Sequence, residues 1–168
     1  VVDRLMSWKI NREFVAKILP LARPRLETFS DFIPLAQFLL NETPEYSTED
    51  LVGKFDAASL SRLIKIAEWE LEKVKVWDRD SLSSLFQGIA GREEIKLKDL
   101  LRPFFFALSG SSVSLPIFDG MALLGPDLCR VRIRKALDQL SESGGGLSKK
   151  GLKKLEKEYR EAYGNRID

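Results

Sequence analysis

The chain has 168 residues, of which 44% are hydrophobic and 31% are charged. This length and composition are typical of a globular protein with a sizeable core, and they argue against a disordered chain. No apolar run approaches the roughly 18 residues of a membrane-spanning helix, and the N-terminal segment lacks the features of a signal peptide. We therefore expect a cytosolic protein. Because the first residue is Val1 rather than Met, we also expect a piece of a longer chain.

The histidine and cysteine content limits the chemistry that this chain can perform. It contains no histidine and one cysteine, Cys129. The lack of histidine excludes Ser-His-Asp triads, His-based zinc sites and histidine acid/base catalysis, and a single cysteine excludes an internal disulfide. The run Gly144 to Gly146 lacks the lysine spacing of a phosphate-binding loop, and Cys129 has no histidine to activate it. We predict no catalytic residue and no metal ligand, and a structural role for Cys129.

The charge is distributed unevenly along the chain. The net charge is +2, from 27 basic and 25 acidic residues. From Leu147 onward there are seven basic and four acidic residues, so the body before this point carries −1. A nearly neutral body binds an anionic partner through a few placed contacts rather than through a broad positive field. Arg130, Arg132 and Arg134 alternate along a predicted helix, so we interpret them as a solvated face.

Hydrophobic residues recur with the helical period of 3.6 along the chain, while alternating strand patterns are nearly absent. The clearest helix follows the N-cap Asp56 and is predicted to end near Trp77. The other predicted helices follow Asn11 (bent or ended by Pro20), Thr28, Ser47 (in a capping box with Asp50), Asp80 (ending at a left-handed Gly91), Lys98 (ending at Ser109-Gly110), Pro116 and Pro126. The pattern predicts an all-α protein.

The helices are predicted to form two packed subdomains, residues 1–77 and 78–140, followed by a linker and a basic helical tail at 141–168. The composition of Ser141 to Gly146 predicts a flexible linker. The tail residues Leu152, Leu155, Tyr159 and Tyr163 recur at helical spacing, which predicts an amphipathic helix that docks on the body.

Two sets of motifs resemble one known family. The first set is Ala107 to Gly110 (ALSG), Val113 to Asp119 (VSLPIFD) and Leu123 to Gly125 (LLG); the second is Arg23-Pro24-Arg25 before a helix. They resemble the C-terminal anticodon-binding region of bacterial-type, class I glutamyl-tRNA synthetases. The resemblance covers about residues 5–140 and leaves the tail after Ser141 uncovered.

The resemblance implies a helical region that binds the anticodon loop and positions glutamate tRNA for ATP-dependent attachment of glutamate. Catalysis would occur in a separate domain that this chain lacks. The chain itself would hold no cofactor, while ATP and Mg²⁺ would belong to the catalytic domain. Glutamate tRNA is the expected partner, a monomer is the expected state, and neither DNA nor a membrane is expected to bind.

The resemblance also implies which residues meet the anticodon bases. Arg25 corresponds to an arginine that reads the first anticodon base and accompanies a preference for glutamate tRNA over glutamine tRNA. A guanidinium offers rigid paired donors to the acceptors of an unstacked cytosine. Ser114, Leu115 and Ile117 correspond to positions that bind the other two bases. Leu115 stands where proline or a small residue is common. Phe105 stands where many members carry an arginine, so a ring that can stack replaces a donor near the third base.

Several alternatives remain open at this point. The residues alone favour an Arg25 that donates to carbonyl groups at a helix junction, and the resemblance reverses that preference. Phe105 and the −1 body support a helical protein-interaction module that has lost RNA binding. A third alternative is a paralogue that still binds RNA but is specialised for glutamine tRNA. Among Phe104, Phe105 and Phe106, at least two must lie in the core, because three adjacent helical residues cannot share one face.

Overall fold

Helices dominate the computed structural model, which describes residues 12–40, 43–112 and 114–164 and has no strand in these ranges. The helices are α1 (Arg12–Ala22), α2 (Phe32–Leu40), α3 (Thr48–Val52), α4 (Ala57–Glu72), α5 (Arg79–Arg92), α6 (Leu97–Ser109), α7 (Ile117–Leu140) and α8 (Lys149–Tyr163). The all-α prediction is confirmed. Asn11 and Val113 lie outside the described residues. No helix in the described part of the chain is both long enough and apolar enough to cross a membrane.

Several helices begin where local sequence signals place them. The carboxylate of Asp56 accepts a backbone N–H in the first turn of α4 at 2.9 Å. Ser47 and Asp50 form the predicted reciprocal capping box at the start of α3. α5 begins earlier than predicted, because Asp78 rather than Asp80 caps it, accepting a backbone N–H at 2.8 Å.

Two predicted helix ends are wrong. α4 ends at Glu72 instead of near Trp77, and the Trp77 indole N–H instead donates to the carbonyl of Met121 at 2.8 Å. α5 continues one residue past Gly91, and the left-handed residue of this connection is Glu94, with φ 53°. The first departure occurs where a contact with another helix determines the path of the chain.

The connection between α1 and α2 also differs from the prediction. Pro20 lies inside α1, which continues to Ala22. The segment after Thr28 first forms a 3-10 turn, and its Asp31 carboxylate accepts the backbone N–H groups of Thr28 at 2.7 Å and Glu27 at 3.0 Å. The hydrogen bond from Thr28, followed by that from Glu27, lowers the pKa of the Asp31 carboxyl. This carboxylate fixes the turn that leads into α2.

The two predicted helices after Pro116 form one kinked helix, α7. Gly125 breaks the helical geometry with φ 79° and ψ 166°, a conformation that L side chains rarely adopt, and Pro126 follows it. The kink brings the Cys129 sulfur to 3.7 Å from the carbonyl oxygen of Met121. Gly110 ends α6, as predicted, and adopts the left-handed conformation with φ 73°.

α7 lies at the centre of the fold and packs against α2, α3, α4, α5 and α6. One cluster of buried apolar side chains extends from Ile18 on α1 to Tyr159 on α8. Phe104 and Phe106 are buried in it and Phe105 is half-buried, which confirms that two of the three phenylalanines belong to the core. The division into subdomains at residues 77 and 78 stays a prediction.

The tail forms the predicted docked helix, but the predicted flexible linker before it is wrong. Tyr159 of α8 is buried, and its ring centroid lies 4.7 Å from that of Trp69 on α4. The segment Ser141–Gly145 forms a π-helical turn. Gly145 packs so closely on α4 that a Cβ atom there would lie 2.3 Å from the Cβ of Ala57. The glycines therefore allow a close approach of two backbones.

Arg132 contradicts the interpretation of the α7 arginines as a solvated face. Its side chain is fully buried, and its guanidinium donates to the carbonyl of Leu108 and, at 2.7 Å, to that of Phe38. These carbonyls lie in the last turns of α6 and α2, where a helix leaves its carbonyl groups without intrahelical partners. Arg132 thus caps the C-terminal ends of two helices.

Glu68 on α4 is a buried carboxylate held between two cations. The Lys65 ammonium lies 2.6 Å from one carboxylate oxygen, and Arg134 Nε lies 3.0 Å from the other. Burial raises the pKa of Glu68, but the hydrogen bonds and charges of Lys65 and Arg134 outweigh it, so the pKa lies below its ordinary value. Such a carboxyl stabilises the fold above its unfolded-state pKa, and that stability is lost as the pH falls through the folded-state pKa.

Glu68→Gln is therefore expected to lower the free energy of unfolding at neutral pH by about 1–3 kcal/mol, because two cations lose a charged acceptor. The difference from the unsubstituted chain should shrink as the pH falls below about 4.5, the ordinary glutamate value. Urea unfolding at a series of pH values measures this, with the exposed Glu142→Gln as the matched control. A difference that stays constant down to acid pH would contradict the prediction.

Candidate nucleic-acid interface

The structure brings the two predicted base-binding segments into contact. Arg25 ends a 3-10 turn that follows α1, and Ser114 lies in the loop between α6 and α7. The Nη1 group of Arg25 donates to the Ser114 carbonyl across 89 residues of sequence. Arg25 is nevertheless exposed, and a guanidinium has five N–H donors. Arg25 therefore donates to a carbonyl between helices, as the structural interpretation of this residue predicts. It also has N–H donors left for a partner, as base recognition requires.

Local backbone structure determines where Arg25 lies. Pro24 fixes φ within the turn Arg23–Arg25, and the N–H of Leu26 closes the turn on the carbonyl of Arg23 at 3.3 Å. Within the described part of the chain, neither Arg23 nor Arg25 forms an ion pair with a carboxylate. The turn therefore presents two unneutralised cations to solvent.

The other predicted site residues surround one small pocket at the start of α7. Ser114, Leu115, Ile117 and Phe105 all line it. It offers about 10 Å³ for the centres of water molecules, which is room for about one water. Ser114, Leu115 and Ile117 are buried and Phe105 is half-buried. In this conformation the side chains of Leu115 and Ile117 belong to the core, and only Phe105 exposes part of its ring.

The Ser114 hydroxyl is also engaged inside the protein. It donates to the carbonyl of Leu115 at 3.1 Å. The group of Ser114 that meets Arg25 is its carbonyl. The sequence resemblance predicts the location of these residues in the chain, but it does not predict which of their atoms face solvent.

A larger polar cleft adjoins this pocket, and the sequence does not reveal it. Its volume is about 560 Å³, within the range of small-ligand sites, and it shares Phe38 and Ser109 with the pocket. The cleft is lined by Pro34, Gln37, Phe38, Thr43, Pro44, Glu45, Ser109, Gly110 and Ser111. Its walls come from segments about 70 residues apart in the sequence, so no local pattern could predict the cleft. The one sequence signal at this place is the Ser109-Gly110 motif, which predicts a helix end in one of the walls.

Gly110 allows the two walls of the cleft to approach each other. A Cβ atom at this position would lie 2.9 Å from the carbonyl oxygen of Glu45. Beside it, the Ser109 hydroxyl lies 2.7 Å from the Phe105 carbonyl and 2.9 Å from the Ser111 carbonyl, both of which are acceptors. The wall formed by residues 109–111 is therefore held in place by side-chain to backbone hydrogen bonds.

Two cations of α7 donate hydrogen bonds to backbone carbonyls in the walls of the cleft or next to them. Arg132 donates to Phe38 on one wall and to Leu108, next to the other wall. Lys135 donates to the Pro44 carbonyl at 2.9 Å. Cys129, on the same helix, is buried, and burial raises the pKa of its thiol to about 12, in agreement with the structural role predicted for it. The sequence prediction missed Arg132 because its partners lie far away along the chain.

Comparisons with known proteins give this site a context. A model of the anticodon-binding domain family matches residues 1–137. The chain is 38% identical over 160 residues to a glutamate-tRNA ligase of Saccharophagus degradans, covering 95% of this chain and 31% of that protein. It is 39% identical over 158 residues to a glutamate-tRNA ligase of a Marinomonas species, covering 94% of this chain and 31% of that protein.

A solved structure shows the same fold. It is a glutamate tRNA ligase from Elizabethkingia meningosepticum in complex with its amino acid, with a TM-score of 0.68 and 15% identity. The match covers 83% of this chain and 28% of that one.

The chain spans about a third of the length of the ligases that it matches. Because 95% of the chain aligns with one of them, most of the segment 141–168 lies inside the similarity, although we expected the tail to lie outside it. The family model covers the whole region that carries Arg25, the loop of Ser114 and the cleft. With this match over residues 1–137, the chain belongs to the anticodon-binding domain family.

Proposed function

We propose that this chain binds the anticodon loop of a tRNA, as the anticodon-binding part of a glutamate-tRNA ligase. The observation that supports it best is the contact between Arg25 and the Ser114 carbonyl, in a chain that matches the anticodon-binding family. Arg25 contacts Ser114, which lines the small pocket beside the polar cleft, so an exposed guanidinium and a space for an unstacked base belong to neighbouring parts of the surface. We expect glutamate tRNA as the partner, and a monomer acting in the cytoplasm.

The proposed roles of the site residues follow from their exposure. Arg25 reads a base edge with the donors that its bond to Ser114 leaves available. Ser114 acts through its carbonyl, which positions Arg25, while Leu115 and Ile117 support the loop from the core. Phe105 is half-buried, and a base can stack on the exposed part of its ring. Recognition therefore rests on placed groups, as the nearly neutral body requires.

The chain would contribute binding and positioning, and not the chemical step. Attachment of glutamate, with ATP and Mg²⁺, would take place in a catalytic domain outside this chain. Binding the anticodon at this end would fix the orientation of the tRNA, so that the correct tRNA is favoured before the chemical step.

Titration with anticodon stem-loops tests this proposal. The chain should bind the glutamate stem-loop more tightly than the glutamine stem-loop. Arg25→Ala should lose about 10- to 100-fold in affinity for the glutamate stem-loop, which corresponds to 1–3 kcal/mol for one base contact, and should lose the preference. Arg23→Ala, an exposed neighbour in the same turn, is the control and should affect both stem-loops equally.

Other outcomes would favour the alternatives. Preference for the glutamine stem-loop would support a paralogue acting on glutamine tRNA. Lack of binding to either stem-loop at low salt would support a protein-interaction module. Equal binding of both stem-loops, unchanged by Arg25→Ala, would contradict the role of Arg25.

A further inference from the structure

The solvent-facing side of α8 carries a concentrated group of cations. α8 buries Leu155 and Tyr159 against the body, so its opposite side faces solvent. With 3.6 residues per turn, the exposed cations fall within an arc of about 140°. We call this arc the basic face; it consists of Lys149, Lys150, Lys153, Lys154, Lys157 and Arg160.

The basic face is only partly neutralised. Three of its members pair with carboxylates on the same helix, and exposed pairs of this kind are weak and screened by salt. The pairs are Lys154 with Glu158 at 3.6 Å, Lys157 with Glu161 at 4.0 Å and Arg160 with Glu156 at 3.0 Å. Within the described residues, Lys149, Lys150 and Lys153 have no carboxylate partner. The N-terminal half of the face is therefore a cluster of three unpaired lysines.

The position of this cluster opposes the stability of α8. The N-terminal end of a helix carries a partial positive charge, so acidic residues stabilise it and cations weaken it. α8 has no acidic residue in its first turn and has Lys149 and Lys150 there. A surface selected only for solubility would intersperse both signs of charge. Cations at the N-terminal end of a helix reduce its stability, and residues that reduce local stability are often retained because they bind a partner.

We propose that the basic face binds the phosphate backbone of the RNA whose loop the Arg25 region recognises; this inference rests on the proposed function. Lysine ammonium groups are point charges that suit phosphates and carry no base specificity. The basic face contains no aromatic or amide side chain that could stack on a base or read its edge. It supplies sequence-independent attraction, which the nearly neutral body lacks.

The two regions are joined by packed elements. Arg132 contacts Leu108 beside the cleft, and α7 then continues for eight residues, about 12 Å of helix, to Leu140. The π-helical turn that follows packs on Ala57 through Gly145, and α8 begins four residues later at Lys149. An RNA stem that leaves its loop near Arg25 carries closely spaced phosphates along its length. Under this proposal the stem of one hairpin contacts the basic face while its loop binds near Arg25.

The test removes the unpaired cluster and measures salt dependence. The variant combines Lys149→Gln, Lys150→Gln and Lys153→Gln, because glutamine preserves helix propensity. The control combines Lys17→Gln, Lys75→Gln and Lys98→Gln, three exposed lysines on other parts of the chain. Affinity for the glutamate anticodon stem-loop is measured between about 50 and 200 mM salt.

We expect the cluster variant to flatten the plot of log affinity against log salt by about 2, since each lost phosphate contact removes about 0.7 to 0.9 from the slope. The control should leave the slope nearly unchanged. The preference for the glutamate stem-loop should survive in the cluster variant, because Arg25 is intact. The cluster variant should also melt no lower than the unsubstituted chain, because it loses cations from a helix N-terminal turn.

Failures of the two proposals are distinguishable. If the unsubstituted chain binds the stem-loop and the cluster variant keeps its slope, the basic face is not an RNA contact while the proposed function stands. If the unsubstituted chain binds no stem-loop, the proposed function and this inference both fail. Binding to phosphatidylserine vesicles that the cluster variant loses, with an unchanged RNA slope, would assign the face to a membrane surface and overturn the inference.

Discussion

Tyr159→Ala is expected to lower the free energy of unfolding by about 3–5 kcal/mol, the usual cost of truncating a large buried aromatic side chain. Tyr159 is 1% exposed, and its ring packs on Trp69 with centroids 4.7 Å apart. Its hydroxyl donates to Glu70 Oε1 at 2.6 Å, and the Lys73 ammonium lies 4.8 Å from the ring centroid. Together these contacts attach α8 to α4, so the substitution should undock the tail.

Urea unfolding followed by circular dichroism measures this effect. Tyr159→Phe keeps the ring and loses only the bond to Glu70, so it should cost about 1 kcal/mol. Leu152→Ala changes a residue of the same helix that is 36% exposed, and its effect should be much smaller. If Tyr159→Ala were no more damaging than Leu152→Ala, α8 would not be docked on the body in solution.

Arg132→Met is expected to cost about 2–4 kcal/mol, because the carbonyls at the ends of two helices lose a charged donor inside the protein. Burial lowers the pKa of Arg132, so removing the cation relieves part of its desolvation cost. The loss of both hydrogen bonds outweighs that relief, since the carbonyls of Leu108 and Phe38 stay buried. The walls of the cleft should loosen as well, which should weaken binding of the stem-loop.

Arg130→Met on the same helix is the matched control for this change. Among the residues that the structure describes, Arg130 pairs only with the exposed Asp127, at 3.5 Å, so its removal should have little effect on either stability or RNA binding. Equal stability of the Arg132→Met and Arg130→Met variants would show that Arg132 does not cap α2 and α6.

Local signals predicted much of the fold. The caps at Asp56 and at Ser47 with Asp50, and the helix end at Gly110, depend on hydrogen bonds or torsion angles within a few residues. Such features are visible in the sequence because their physical cause lies there. The amphipathic tail helix was predictable for the same reason, since a buried stripe requires the period of 3.6.

Features that depend on distant contacts were not predictable. The partners of Arg132 lie 24 and 94 residues away along the chain. The glycines at 144–146 have the composition of a flexible linker, and only the approach of Ala57 to Gly145 shows that small residues serve packing there. The end of α4 before Trp77 likewise reflects a contact with Met121 on another helix.

In the candidate site, too, some features were predictable from the sequence and others depend on packing. The resemblance predicted that Arg25 and the loop of Ser114 each bind anticodon bases, and the structure brings these two segments into contact. It did not predict that Leu115 and Ile117 face the core, because a motif gives positions in the chain and not side-chain directions. The cleft between residues 34–38 and 43–45 on one side and 109–111 on the other is formed only by packing.

The central claim is that this chain recognises an anticodon. Its most direct test is titration with the glutamate anticodon stem-loop and with a hairpin of the same stem whose three anticodon bases are replaced. We predict saturable binding of the first and binding weaker by about 10-fold or more for the second, because base contacts are lost while phosphate contacts remain. Equal affinity for the two hairpins, or lack of binding to both at low salt, would contradict the account.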